Sequence, residues 1–128
     1  MIDRIIALKP HITIQDDILL ADWTGDQTEE TIMDGCEKIL GYLKQYQSTK
    51  ILNDNTHVTS IWSDASDWVA RYWFPRMSNA GCRFFAWVYS PNIYSKLSTD
   101  EALKYGTDPV ITITFESKDT AAAWLKAM

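Results

Sequence analysis

KILNDNTHVTSIWSDASD, residues 50–67, reads as a strand, a polar turn and a helix start in succession. Ile51 and Leu52 form a short apolar run that suits a buried strand, Lys50–Asn53. Asn53-Asp54-Asn55-Thr56-His57 follows as a polar turn, since Asn and Asp side chains bond readily to nearby backbone amides. Ser63-Asp64-Ala65-Ser66-Asp67 then opens a helix, with Ser63 as its expected N-cap. In an α/β protein the loop leaving the carboxyl end of a strand is where ligands and regulators are met.

Outward from this stretch the same alternation continues. Ile12–Gln15 and Ile18–Trp23 are strand-like and are separated by Asp16-Asp17, a hairpin-type signal; Arg4–Leu8 adds a short extended candidate. Asp26 and Glu29 resemble a capping box before a helix whose apolar stripe is Ile32, Cys36, Ile39, Leu40 and Leu43. Gly35 and Gly41 lower that helix's propensity, so packing must hold it. In the helix opened at Ser63, the residues Ala65, Trp68, Val69, Tyr72 and Trp73 are candidates for the inner face, and Pro75 should kink or end it. Tyr72, Trp73 and Phe74 are consecutive and cannot share one face, so at least one of them is expected to point outward or into a neighbouring subunit. Arg83–Tyr89, RFFAWVY, is apolar throughout and is expected to be an interior strand. Ser98 with Glu101 reads as a further capping box, opening a short helix to Tyr105. Val110–Phe115 alternates like a strand with one covered face or an edge strand, and Ser117 caps a last helix with the stripe Ala121, Trp124, Leu125, Met128. The order β-β-α-β-α-β-α-β-α implies a mixed sheet, its first two strands antiparallel and the rest parallel, with right-handed crossovers.

The chain has 128 residues, enough for one domain with a sizeable core. A net charge of −5, with its 12 basic residues scattered, argues against nucleic-acid binding, which needs a concentrated basic face. Cys36 and Cys82 match no metal motif and are expected to be reduced and buried, in keeping with a cytoplasmic location. No apolar run at the N-terminus is long enough for a membrane span. With only His11 and His57 as histidines and no His-x-x-x-His spacing, no metal site is expected; five dispersed glycines make no phosphate-binding loop, so no cofactor is expected either.

ILNDN at Ile51–Asn55, WSDASDWV at Trp62–Val69, FAWVYSPN at Phe85–Asn92 and TAAAWL at Thr120–Leu125 together resemble the anti-sigma-factor antagonist (STAS, or SpoIIAA-like) domain. The likeness spans nearly the whole chain, as one domain over residues 1–128, and is nearest to small bacterial stand-alone STAS-like proteins of unassigned function. It implies an α/β fold, a SpoIIAA-like β-α superhelix with a mixed five-stranded sheet and its helices mainly on one face. In the anti-sigma antagonists a Ser or Thr after the third strand is phosphorylated within an Asp-x-Ser/Thr-Gly pattern. Asp54-Asn55-Thr56 occupies that place here, which makes Thr56 the phosphoacceptor candidate, but His57 stands where Gly is expected and the helix start is delayed to Ser63.

Asp54, His57 and Ser60 or Ser63 could be assembled into an acid–base–nucleophile triad, but no Gly-x-Ser-x-Gly elbow accompanies them, and turn and cap roles account for the same residues. Trp68, Trp87 and Trp124 fall on core positions. Trp62, Tyr89 and Tyr94 lie in or beside the loops after the third and fourth strands, either as a ligand or protein-contact surface or as local packing. The candidate binding surface is therefore Asp54, Asn55, Thr56, His57, Trp62, Ser63, Tyr89, Ser90 and Asn92. Two readings follow. One is a noncatalytic binding or regulatory module that meets a protein partner or small effector through those loops. The other is a small carrier or enzyme for an apolar or amphiphilic ligand. RFFAWVY places Phe84, Ala86 and Val88 on one sheet face and Phe85, Trp87 and Tyr89 on the other, so an uncovered second face would favour a homodimer.

Overall fold

The computed structural model describes residues 10–128, which carry five strands in one sheet ordered β1-β2-β3-β4-β5. β1 (His11–Gln15) and β2 (Ile18–Gly25) form an antiparallel hairpin, with Asp16 and Asp17 at φ 53° and 69° as its turn. β3 (Lys50–Val58), β4 (Phe84–Val88) and β5 (Ile111–Phe115) then add in parallel, each beside its predecessor. The mixed sheet and its strand directions are those the sequence implies. The extended candidate Arg4–Leu8 lies outside the described residues. Among the described residues no helix is long and apolar enough to cross a membrane.

Three helical elements pack on one face. α1 (Glu29–Tyr46) buries Ile32, Cys36, Ile39, Leu40 and Leu43, the stripe expected from its spacing. Its N-cap is Thr28 rather than Asp26. Thr28 and Thr31 exchange side-chain and backbone bonds (2.8 and 3.1 Å), and Asp26 instead accepts from the Thr59 hydroxyl. Gly35 has a steric role: a Cβ there would stand 2.3 Å from Cη2 of Trp23.

α2 is one helical run made of a 3₁₀ turn Ser63–Ala65, an α turn Ser66–Trp68, a π segment Val69–Trp73 and an α segment Phe74–Asn79. Pro75 does not end it. A π segment immediately precedes the last α segment, and Pro75 stands in the first turn of that α segment. The π turn shifts the inner face. Val69, Ala70, Trp73, Phe74 and Met77 are buried, while Tyr72, expected inside, is exposed and stacks on half-buried Trp68 at 4.9 Å. α3 (Ile93–Leu103) begins five residues before the predicted capping box, and Ser98 lies inside it.

α4 (Lys118–Ala127), capped by Ser117 as expected, crosses the opposite face. It covers Leu52, Ala86 and Val88 with Ala121 and Leu125, and Trp124 packs edge-on to Phe84 at 6.0 Å. The second face of RFFAWVY is thus covered within the chain, which removes the main reason for expecting a dimer there. Among the described residues the helices lie three to one, mainly on one face. The larger core holds Trp23, Trp62, Trp73 and Trp87, four of the six tryptophans of the chain, between the sheet and α1–α3.

Candidate functional site

The expected polar turn Asn53–His57 is part of β3, which runs to Val58. Strand pleating then divides these residues between the two faces. Asn53 and Asn55 point toward α1 and α2. Asn53 Oδ1 accepts from Trp23 Nε1 at 2.8 Å and its amide donates to Asn55 Oδ1 at 3.3 Å. With Trp23, Trp62, Trp73 and Trp87 they line a small cavity of about 20 Å³. Trp87, 1% exposed, lines it with an indole N–H that has no partner among the described residues.

Asp54 faces the other way, in register between Asp22 and Val88. It is buried and accepts from the Thr56 amide at 2.9 Å and the Thr56 hydroxyl at 2.5 Å. A register shift between Asp22 and Thr24 brings His57 beside Thr24. His57 Nδ1 lies 3.9 Å from Asp22 Oδ1. Ser60 is occupied elsewhere, accepting from the Gln27 amide at 2.8 Å. Asp54, His57 and a serine therefore form no hydrogen-bonded chain. Among the described residues no three His, Cys, Asp or Glu side chains are grouped to hold a metal ion.

The exits of β3 and β4 do converge. Ser90 Oγ donates to the Val58 carbonyl at 2.6 Å and accepts from the Asn92 amide. Asn92 Nδ2 donates to the Thr59 carbonyl at 3.1 Å, while its Oδ1 accepts from the amides of Tyr94 and Ser95 and so caps α3. Ser90 is buried, so it and Asn92 tie the loops together. Trp62 is 5% exposed, stacked on Trp87, with its backbone N–H donating to Ser98 Oγ at 2.9 Å and its indole to Ser95 Oγ at 3.3 Å. It belongs to the core rather than to a surface. Ser63 is exposed, and its side chain makes no cap bond, because Trp62 is the residue before the first helical turn. Tyr89 is half-buried and donates to Asp100 Oδ1 at 2.5 Å, with Lys96 Nζ 4.8 Å above its ring. Burial first, and then the bond to the Asp100 carboxylate, pushes its phenol pKa up.

Of the large apolar side chains exposed at this end, Tyr94 is one the sequence singles out, whereas Ile61, Ile93 and Leu97 are not. Ile61, Ile93, Tyr94 and Leu97 are 53%, 63%, 60% and 55% exposed. Ile61 and Leu97 line an open groove with Ser63, Ser98, Asp100, Glu101 and Lys104. The signal that could have found them was Asn92 as a helix cap: starting α3 there puts Ile93 and Leu97 four residues apart on one face.

This architecture is shared with solved structures. A Thermotoga maritima protein assigned to the anti-sigma factor antagonists superposes with a TM-score of 0.65 at 19% identity, over 91% of this chain and 94% of the other. An uncharacterised DUF3478-family protein from Shewanella loihica, with a SpoIIAA-like fold, gives a TM-score of 0.52 at 20% identity over 91% of each chain. The chain has the SpoIIAA-like fold. No protein-family model matches the sequence, and no curated protein does.

Proposed function

We propose that this chain is a noncatalytic regulatory module that binds a protein partner at the end of the sheet where β3 and β4 exit. The observation that carries it is the set Ile61, Ile93, Tyr94 and Leu97, four large apolar side chains more than half exposed at one end of the fold. Their support is rigid: Ser66 Oγ donates to the Ser98 carbonyl at 2.8 Å, and Trp62 is bonded to Ser95 and Ser98. Large apolar groups on a fixed platform suit an interface better than a solvated surface. The fold shared with an anti-sigma factor antagonist is in keeping with this reading.

Thr56 is the proposed phosphoacceptor. Its hydroxyl bonds to Asp54 on β3, so a phosphate there would place about two negative charges beside that carboxylate. Self-association is proposed at the β5 edge, where Ile111 and Ile113 are 53% and 42% exposed. Light scattering at tens of micromolar should then give a dimer that Ile113→Lys converts to a monomer; a wild-type monomer refutes that part.

The partner reading is tested by affinity capture from the native cell with wild type, Leu97→Glu, Thr56→Glu and Thr56→Ala in parallel. A partner held by wild type and Thr56→Ala, weakened by Thr56→Glu and lost with Leu97→Glu is the expected result. A partner retained fully by folded Leu97→Glu would place the interface elsewhere.

A further inference from the structure

On the face opposite α1–α3, α4 covers β3 and β4 but leaves the flank toward β1 and β2 open. An open groove of about 230 Å³ runs there, independent of the partner surface described above. Its apolar lining comes from alternate positions: Ile18 and Leu20 on β2 and Leu52 on β3, where Leu20 and Leu52 are register partners. Its wall is a single stripe of α4, Lys118, Ala122 and Lys126, at i, i+4 and i+8. Ala122 in the middle keeps the lining accessible, and the two lysines mark ends separated by about 12 Å along the helix axis.

The charge here runs against that of the whole chain. The net charge of the protein is −5, yet Lys118 and Lys126 face the groove against one carboxylate, Asp16. Neither lysine forms an ion pair with a described residue. Outside the groove lining, the same face carries Lys50 beside Ile18 at one end and the pair Asp22 and Asp54 beyond Leu20 and Leu52 at the other. Thr13 and Gln15 complete the far side without charge. An apolar lining with cationic ends and uncharged polar walls matches one ligand chemistry, an apolar body carrying a carboxylate. Long lysine stems can also lie along such a body while their ammonium groups meet the acid.

We propose that this groove binds small apolar carboxylates, with Lys118 and Lys126 as the anion-recognising groups and Ile18, Leu20, Leu52 and Ala122 as the apolar seat. The probe is sodium octanoate, titrated into the ¹⁵N-labelled full chain and followed by amide chemical shifts. Saturable shifts are expected at residues 13–20, 52 and 118–126, with an apparent Kd on the order of 1 mM. Acetate, which has the charge without the body, should produce no saturation. Octanol, which has the body without the charge, should bind about fivefold more weakly, the factor that a solvent-exposed charge pair supplies. Lys118→Gln with Lys126→Gln should bring octanoate down to the octanol level. Ala122→Trp, at a partly exposed helix position, should fill the groove and abolish the shifts while leaving the rest of the amide spectrum in place. Equal binding of octanoate and octanol, undiminished binding by the double lysine variant, or shifts confined to residues 61 and 93–97 would each overturn the proposal.

Discussion

Trp73 and Trp87 are both fully buried on the same side of the sheet, but only one is satisfied. Trp73 donates to the Cys36 carbonyl at 3.0 Å, whereas Trp87 Nε1 has no partner among the described residues. Replacing either by Phe removes a similar apolar volume. The difference isolates one buried hydrogen bond, so Trp73→Phe should cost about 1–2 kcal/mol more than Trp87→Phe in urea unfolding. Equal losses would mean that Trp87 has found a partner of its own. A second contrast separates two glycines of α1. At Gly35 a Cβ meets the Trp23 ring at 2.3 and 2.6 Å, while at Gly41 it meets nothing within 4 Å. The gain in helix propensity is about 1 kcal/mol at either site. At Gly41 it should appear as a net stabilisation. At Gly35 overpacking, about 3 kcal/mol or more for a clash this close, outweighs it. Thermal unfolding of Gly35→Ala and Gly41→Ala should therefore move in opposite directions.

At the scale of elements, α3 depends on one residue for two jobs. Asn92 caps the helix through Tyr94 and Ser95 and ties it to the β3 exit through Thr59. Asn92→Ala should cost about 1–2 kcal/mol, near the top of the range for an N-cap. Amide exchange should rise first in residues 93–96 and 59–62; protection unchanged there would show that the serine bonds of Trp62 hold the junction alone. The boundaries of α2 and α3 were the elements least legible from residues. Ser98-x-x-Glu101 has the letters of a capping box, but the earlier Asn92, tied to the β3 exit through Thr59, starts the helix. The π turn before Pro75 has no short-range signature either, and it decides that Trp73 and Phe74 point inward while Tyr72 points out.

The whole molecule buries both thiols. Burial pushes Cys82 up to about 12 and Cys36 well above its ordinary value. A thiol whose folded pKa exceeds its unfolded value of about 9 binds its proton more tightly when folded. Its contribution is present below pH 9 and is lost as pH rises from about 9 toward 12. Denaturant midpoints should fall over that window, and less steeply in Cys82→Ala; at neutral pH both thiols should resist a thiol reagent until the chain unfolds. An equal fall in the variant would assign the loss to other groups.

Periodicity and composition by themselves determined the element order, the mixed sheet, the α1 stripe, the burial of Cys36 and Cys82 and the capping of α4 by Ser117. Each of these depends on local spacing or on how apolar a segment is, and both are properties of the chain read in line. The candidate surface was different. Asp54, Asn55, Thr56 and His57 are adjacent in sequence, and only the extension of β3 to Val58 sends Asn55 to the tryptophan-lined face and Asp54 to the other. Ser90 and Trp62 are polar-edge residues by position, but long-range bonds to Val58, Ser95 and Ser98 place them inside. Which face a strand residue takes, and which loop residue remains exposed, are settled by partners some thirty positions away in the chain, at an entropic cost that only the assembled sheet and helices offset.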